Sequence, residues 1–336
     1  MTQHVIFSHG KDSEPWGRKI LALADTARAA GCSVESVDYR GIEEVDRRLE
    51  KLLSVGRASA SAPVLVGSSL GAWLSLGWMI LLIGAAILAP ILPIADPIND
   101  ADPTKAAQGP SWAHIFGLDG NGRDVFARVV WGARNSLFIA FVAVLAGFVL
   151  GGILGLVAGY FKGRIGGALG ALTDILLAFP QLVLALAIVS FLGRTVFNVT
   201  LALGIVSIPI LARITRASAL TWSEREFVTA ARAQGAGHVR TMVREVLPNV
   251  LPAMLSIALL GIAVAIVAEA SLSIIGAGVK PDVTTWGNVI FSGQSFIREA
   301  PFMVLLPSVV IFFTVFSLNY LGDVVRARFD VRESAL

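Results

Sequence analysis

Ser69 stands in the run VLVGSSLGAW, residues 64–73, between Gly67 and Gly71. Gly-x-Ser-x-Gly is the pattern of a nucleophile elbow, a sharp strand-to-helix turn that exposes a serine hydroxyl. The chemistry would be acyl transfer. A serine is a weak nucleophile by itself and needs a base, usually a histidine oriented by a carboxylate. In elbow proteins those partners follow the serine, Asp or Glu first and His second. Here LSLGWMILLIGAAILAPILPI follows at once, and the nearest later histidine, His114, lies in a loop beyond it. Catalysis by Ser69 is therefore not expected, and a membrane-anchored serine hydrolase is the alternative reading.

Other reactive side chains form no constellation. His4, His9, His114 and His238 lack metal-ligand spacing, and Cys32 is the lone cysteine. Neither a metal centre nor an internal disulfide is expected. Two carboxylates stand in apolar runs. Asp174 is expected in the first turn of a membrane span, as a cap or facing the cytoplasm. Glu269, in AIVAEASLSIIG, is expected toward the outer end of another. An ionisable group inside a span is a candidate functional residue by default.

The elements that must position these groups are membrane spans. Of the 336 residues, 55% are hydrophobic and 15% are charged, too apolar a balance for a soluble protein. Residues 1–73 hold nine Lys/Arg and nine Asp/Glu, and the remaining 263 hold eighteen and fifteen. A soluble-looking segment, 1–73, thus precedes a membrane domain, 74–336. The net charge of +3 gives no sign of a nucleic-acid partner. The N-terminus has no basic segment before an apolar core, so no signal peptide is expected.

Apolar stretches at 74–94, 136–159, 168–192, 196–214, 249–272 and 302–321 are each long enough to cross roughly 30 Å of hydrocarbon. Pro209 and Arg213 interrupt the end of the fourth. The fold class expected is an all-α polytopic membrane protein of six helices. Lys162 and Arg164, then Arg216, Arg225, Arg232, Arg240 and Arg244, then Arg326, Arg328 and Arg332 all fall on one side of that arrangement. The positive-inside rule makes that side cytoplasmic, and both termini with it. Gly147, Gly151, Gly155 and Gly159 recur every fourth residue of the second span. They make a small-residue face for close helix packing, within the bundle or against a second subunit.

The most informative loop is SEREFVTAARAQGAGHVRTMVREVLPNVLP, residues 223–252. Ser223 and Glu226 have capping-box spacing. Phe227, Val228, Ala230 and Ala231 continue a helix, and Gly235 is placed as its left-handed stop. A second short helix is expected from Gly237 to Val246, with Pro248 closing it or opening the next span. A basic helix on anionic lipid would carry similar charges. The small Ala-Ala…Gly core and sharp turn instead suit docking into a groove on another protein.

TAARAQGAGHVRTMVREVLPN resembles the "EAA" loop of bacterial ABC-importer permeases. Thr229 stands where that family has Glu, while Ala230, Ala231, Gly235, Leu247, Pro248 and Asn249 match. FGLDGNGRDVFARVVWGARNSL, residues 116–137, resembles the segment ahead of span two in dipeptide/oligopeptide permeases of the "C" type, with Leu118 where Thr is usual. DILLAFPQLVLAL, AEASLSIIGAGVKPDVTTWGNVI and LNYLGDVVRARFD are similar to the same subfamily, and the resemblance covers about 74–330.

The resemblance implies the type I importer permease fold and a bacterial cytoplasmic membrane. It implies a pairing with a second homologous permease, one or two ABC ATPase subunits and an extracytoplasmic peptide-binding protein. Glu226, His238 and the matching residues would form the ATPase-coupling loop. The chain has no GxxxxGK[ST] run, so no cofactor is expected on it, and ATP and Mg belong to the partner ATPases.

In residues 1–73, HVIFSHG, CSVESVDYRG and APVLVGSSLGAW read as strands, with EPWGRKILALADTARAAG and GIEEVDRRLEKLLSVG as helices between them. That alternation predicts a parallel sheet. It resembles the start of a small α/β-hydrolase, with His9 and Gly10 in the oxyanion loop and Ser69 as nucleophile, truncated before its later strands.

Overall fold

The computed structural model describes residues 4–8, 24, 25, 28, 29, 32–38, 47, 51, 54, 64–67 and 69–333. The chain divides into two compact units, Met1–Leu74 and Ser75–Leu336. In the first, strands β1 (His4–Ser8), β2 (Ser33–Val37) and β3 (Val64–Gly67) form a parallel sheet in the order β2-β1-β3. Val5 lies opposite Val34 on one side and Val64 on the other. Parallel neighbours need crossover connections. Ala24, Asp25, Arg28 and Ala29 between β1 and β2, and Arg47, Lys51 and Ser54 between β2 and β3, are helical. His9 and Gly10 lie outside the described residues. Strand β3 ends at Gly67, and helix α1 (Ser69–Leu88) opens on Ser69.

The second unit is a helical bundle. It comprises α2 (Val125–Tyr160), α3 (Arg164–Ala178), α4 (Gln181–Leu192), α5 (Val196–Ser223) and α6 (Glu226–Ala233). The helices α7 (His238–Ile274), α8 (Trp286–Gly293) and α9 (Phe302–Glu333) follow. Four segments are long and apolar enough to cross a membrane singly: α2, α5, α7 and the Phe302–Val325 part of α9. The α3–α4 pair qualifies together, and α1 adds the shorter apolar stretch Trp73–Leu88.

Two boundaries differ from the sequence expectation, each at a proline, and a third proline meets it. The stretch 168–192 is not one straight span, because α3 and α4 meet at 84°. Pro180 drives Phe179 out of the helical region, to φ −82° and ψ 135°. The fourth span does not stop near 214. Pro209 is buried inside α5, which runs on to Ser223, as membrane helices permit where neighbours cover the freed carbonyl. Pro248 does open a span, as one of its two expected roles had it. It stands in the first turn of the α-helical run Leu247–Ile274, and a wider π-type turn at Met242–Val246 joins that run to the short helix before it within α7.

The glycine face of α2 decides the central packing. A Cβ on Gly147 would lie 2.7 Å from Ser207 Cβ, on Gly151 2.5 Å from Ile208 O, on Gly155 2.6 Å from Thr215 Cβ, and on Gly159 2.7 Å from Ala219 Cβ. All four therefore face α5 of the same chain, backbone against backbone. Around this pair, Met79 and Leu82 of α1, Ile266 of α7, Trp286 of α8 and Val310 of α9 share a core. Phe138, Ile153, Phe191, Phe197 and Phe312 are exposed, as suits side chains that face lipid.

Candidate functional site

One end of the bundle carries the loop between α5 and α7. Ser223 does not cap α6. It is still the last residue of α5, and its Oγ donates to Leu220 O at 3.0 Å. Arg225 is the N-cap, without a side-chain bond, and exposed Glu226 opens the helix. There its carboxylate favours the positive end of the α6 dipole. The helix ends on Gly235 at φ +86°. Gly235 N donates to Arg232 O at 2.9 Å and Ala236 N to Ala231 O at 3.0 Å, the paired bonds of a Schellman stop.

Val228 is fully buried and packs with Leu156 and Tyr160 of α2, Ala219 of α5, and Val246, Val250 and Met254 of α7. The opposite face is open: Thr229, Ala230, Ala233 and Gly235 are exposed, and Ala231 is half-buried. Val239 is 71% exposed. Leu247 packs against the Val228 cluster, Pro248 is exposed, and Asn249 Nδ2 donates to Glu245 O at 2.7 Å. The loop is thus a shallow, small-residue platform anchored from beneath.

Its surroundings are basic. Arg225 lies 5.4 Å over the Trp222 ring and Arg232 4.7 Å over the Tyr160 ring. Lys162 and Glu224 form an exposed ion pair, and the hydrogen bond from Lys162, with its charge, holds the Glu224 carboxyl below its usual range. His238 Nδ1 is 3.1 Å from the Tyr160 hydroxyl. Tyr160 was not among the residues singled out from sequence. Its signal is slight, an aromatic residue closing the glycine-faced span.

The other end of the bundle holds Glu269, fully buried in α7. It accepts from Ser136 Oγ of α2 at 3.2 Å and from Ser273 Oγ at 3.0 Å. Ser136 Oγ in turn accepts from Trp286 N at 3.0 Å. The DGNGRD run builds the start of α2. Asp119 accepts from Asn121 N, Arg123 N and, at 2.5 Å, from buried Arg128. Asp124 caps α2 through Ala127 N and meets His114 Nδ1 at 2.8 Å. His114 therefore serves this turn. Asp174 is exposed and lies well past the first turn of α3, which opens at Arg164. Between these ends, α2, α4, α5, α7 and α9 line a mostly apolar cavity of about 480 Å³, whose polar lining is Gln181, Ser207, Ser271 and Asn319.

Among the described residues no group of three or more His, Cys, Asp or Glu is placed to hold a metal. Ser69 is the first residue of α1, after β3 ends at Gly67.

Comparison with known proteins bears on the membrane unit. The dipeptide transport system permease protein DppC of Alkalihalophilus pseudofirmus is 39% identical over 245 residues, spanning 73% of this chain and 80% of that protein. The glutathione transport system permease protein GsiD of Pectobacterium atrosepticum is 36% identical over 253 residues, 75% and 84% of the two chains. The inward-facing MetNI methionine ABC transporter superposes with a TM-score of 0.52 at 20% identity, over 60% of this chain and 95% of that one. That likeness establishes the fold as the type I importer permease. The family described as binding-protein-dependent transport system inner membrane component matches residues 151–334, and the chain belongs to that family.

Proposed function

We propose that this chain is the transmembrane permease subunit of an ATP-driven ABC importer that carries di- or oligopeptides by alternating access. The observation that carries the reading is the α6–Gly235 platform, small-sided, pinned at Val228 and open on its outer face. The names of the relatives support peptides as the substrate class.

In this reading the platform faces the cytoplasm, with both termini, and seats in a groove of an ABC ATPase. Glu226, Ala230, Ala231, Gly235, His238, Leu247, Pro248 and Asn249 form or support it. ATP and Mg bind the ATPases. A second homologous permease completes the path, and an extracytoplasmic binding protein delivers the peptide. ATP and the loaded binding protein favour the same one of two global states, and the cavity beside Asn319 forms part of the path. The N-terminal unit is a truncated α/β-hydrolase-like segment without catalysis. Cells deprived of this subunit should lose uptake of radiolabelled di- or oligopeptides and regain it on complementation. Undiminished uptake in its absence contradicts the reading.

A further inference from the structure

We infer that Tyr160 is a positioning residue that ties the 226–246 loop to α2, an inference that rests on the permease reading above. The loop is joined covalently to α5 and α7 alone. Tyr160, the last residue of α2 and only 5% exposed, supplies a third attachment. Its hydroxyl meets both halves of the loop, accepting from Arg232 Nε at 3.3 Å and lying 3.1 Å from His238 Nδ1. With Arg232 donating, the tyrosine proton is directed to Nδ1, so the neutral imidazole carries its own proton on Nε2. The ring reinforces both contacts. The Arg232 guanidinium stacks 4.7 Å above it, and the His238 ring meets it edge-on at 5.8 Å, with Phe161 beside both, 5.6 Å from the imidazole and 5.0 Å from the Tyr160 ring.

Below this junction α2 cannot slide independently. A Cβ at Gly159 would come 2.7 Å from both Ala219 Cβ and Arg216 O of α5, so the two helices touch backbone to backbone. A displacement of α6, or of the first turn of α7, therefore reaches α2 through this hydroxyl as well as through the packing of Val228 on Leu156 and Tyr160, and α2 carries α5 with it. Packing alone would be met by phenylalanine. The hydroxyl is what links Arg232 and His238, which lie on opposite sides of the Gly235 stop.

The test uses the whole importer complex in proteoliposomes and reads peptide transported per ATP hydrolysed. Tyr160→Phe keeps the ring and removes the hydroxyl with both its hydrogen bonds, and the ratio should fall about 5-fold or more, about 5-fold being the worth of one hydrogen bond. His238→Leu should fall similarly. His238→Asn, whose Oδ1 can replace Nδ1 as acceptor, should stay close to the original. An unchanged ratio in Tyr160→Phe, or equal losses in the Asn and Leu variants, overturns the inference. A complex with the native chain that hydrolyses ATP yet moves no peptide would instead count against the permease reading itself.

Discussion

Ser136 Oγ on α2 donates to Glu269 Oε2 on α7 across 3.2 Å, and Ser273 Oγ, one turn along α7, reaches Oε1 at 3.0 Å. No ion pair with Glu269 occurs among the described residues. The carboxyl is held by hydroxyls, and through Ser136 it is linked to the backbone at the start of α8. Three helices thus meet on one buried group. Glu269→Gln retains an acceptor and a size match, and should change stability by less than about 1 kcal/mol. Glu269→Leu strands both hydroxyls and should destabilise by about 2–3 kcal/mol. Thermal unfolding in mild detergent separates the two. Equal losses would mean that charge, and not hydrogen bonding, holds the site.

The glycine face of α2 gives a second expectation. Gly155→Leu would drive a side chain into Ala212, Thr215 and Arg216 of α5. Overpacking of this kind costs about 1–3 kcal/mol or more, so yield and melting temperature should fall. Gly167, exposed on α3 with nothing within 4 Å of an added Cβ, is the control. Gly167→Ala should be neutral, or stabilising by about 0.5–1 kcal/mol. A harmless Gly155→Leu would contradict the α2–α5 contact.

At Gly235 the constraint is backbone conformation and not space. Its φ is +86°, and no atom lies within 4 Å of an added Cβ. Gly235→Val therefore meets strain of about 1–2 kcal/mol at the stop that shapes the platform. Membrane insertion should persist while peptide uptake per ATP falls. Normal coupling in this variant would remove the loop from the mechanism.

Much of this was legible before any coordinates. Long apolar runs, a glycine every fourth residue and a glycine after Ala-Ala each carry their meaning locally. Proline did not. Pro180 bends its run by 84°, whereas Pro209 lies within one continuous helix and Pro248 in the first turn of another. What separates Pro209 from Pro180 is its burial against distant residues inside α5, which no local pattern gives. Ser223 and Glu226 had capping-box spacing, but α5 runs too far for Ser223 to be free. Tyr160 finds Arg232 and His238 at separations of 72 and 78 residues, and no local pattern announces such a meeting.

Ser69 yields a negative expectation. A fluorophosphonate probe should not label it, and Ser69→Ala should leave uptake unchanged, because a serine without its base reacts slowly. Stoichiometric labelling at Ser69 would revive the hydrolase reading for the N-terminal unit.

The most direct test places a photo-crosslinking residue at Val239, which is 71% exposed beside the platform, in native membranes. After irradiation, adducts are identified by mass spectrometry. The proposed function predicts a crosslink to a protein carrying a GxxxxGK[ST] phosphate-binding loop. Adducts to lipid alone, with no ATPase recovered, would contradict it.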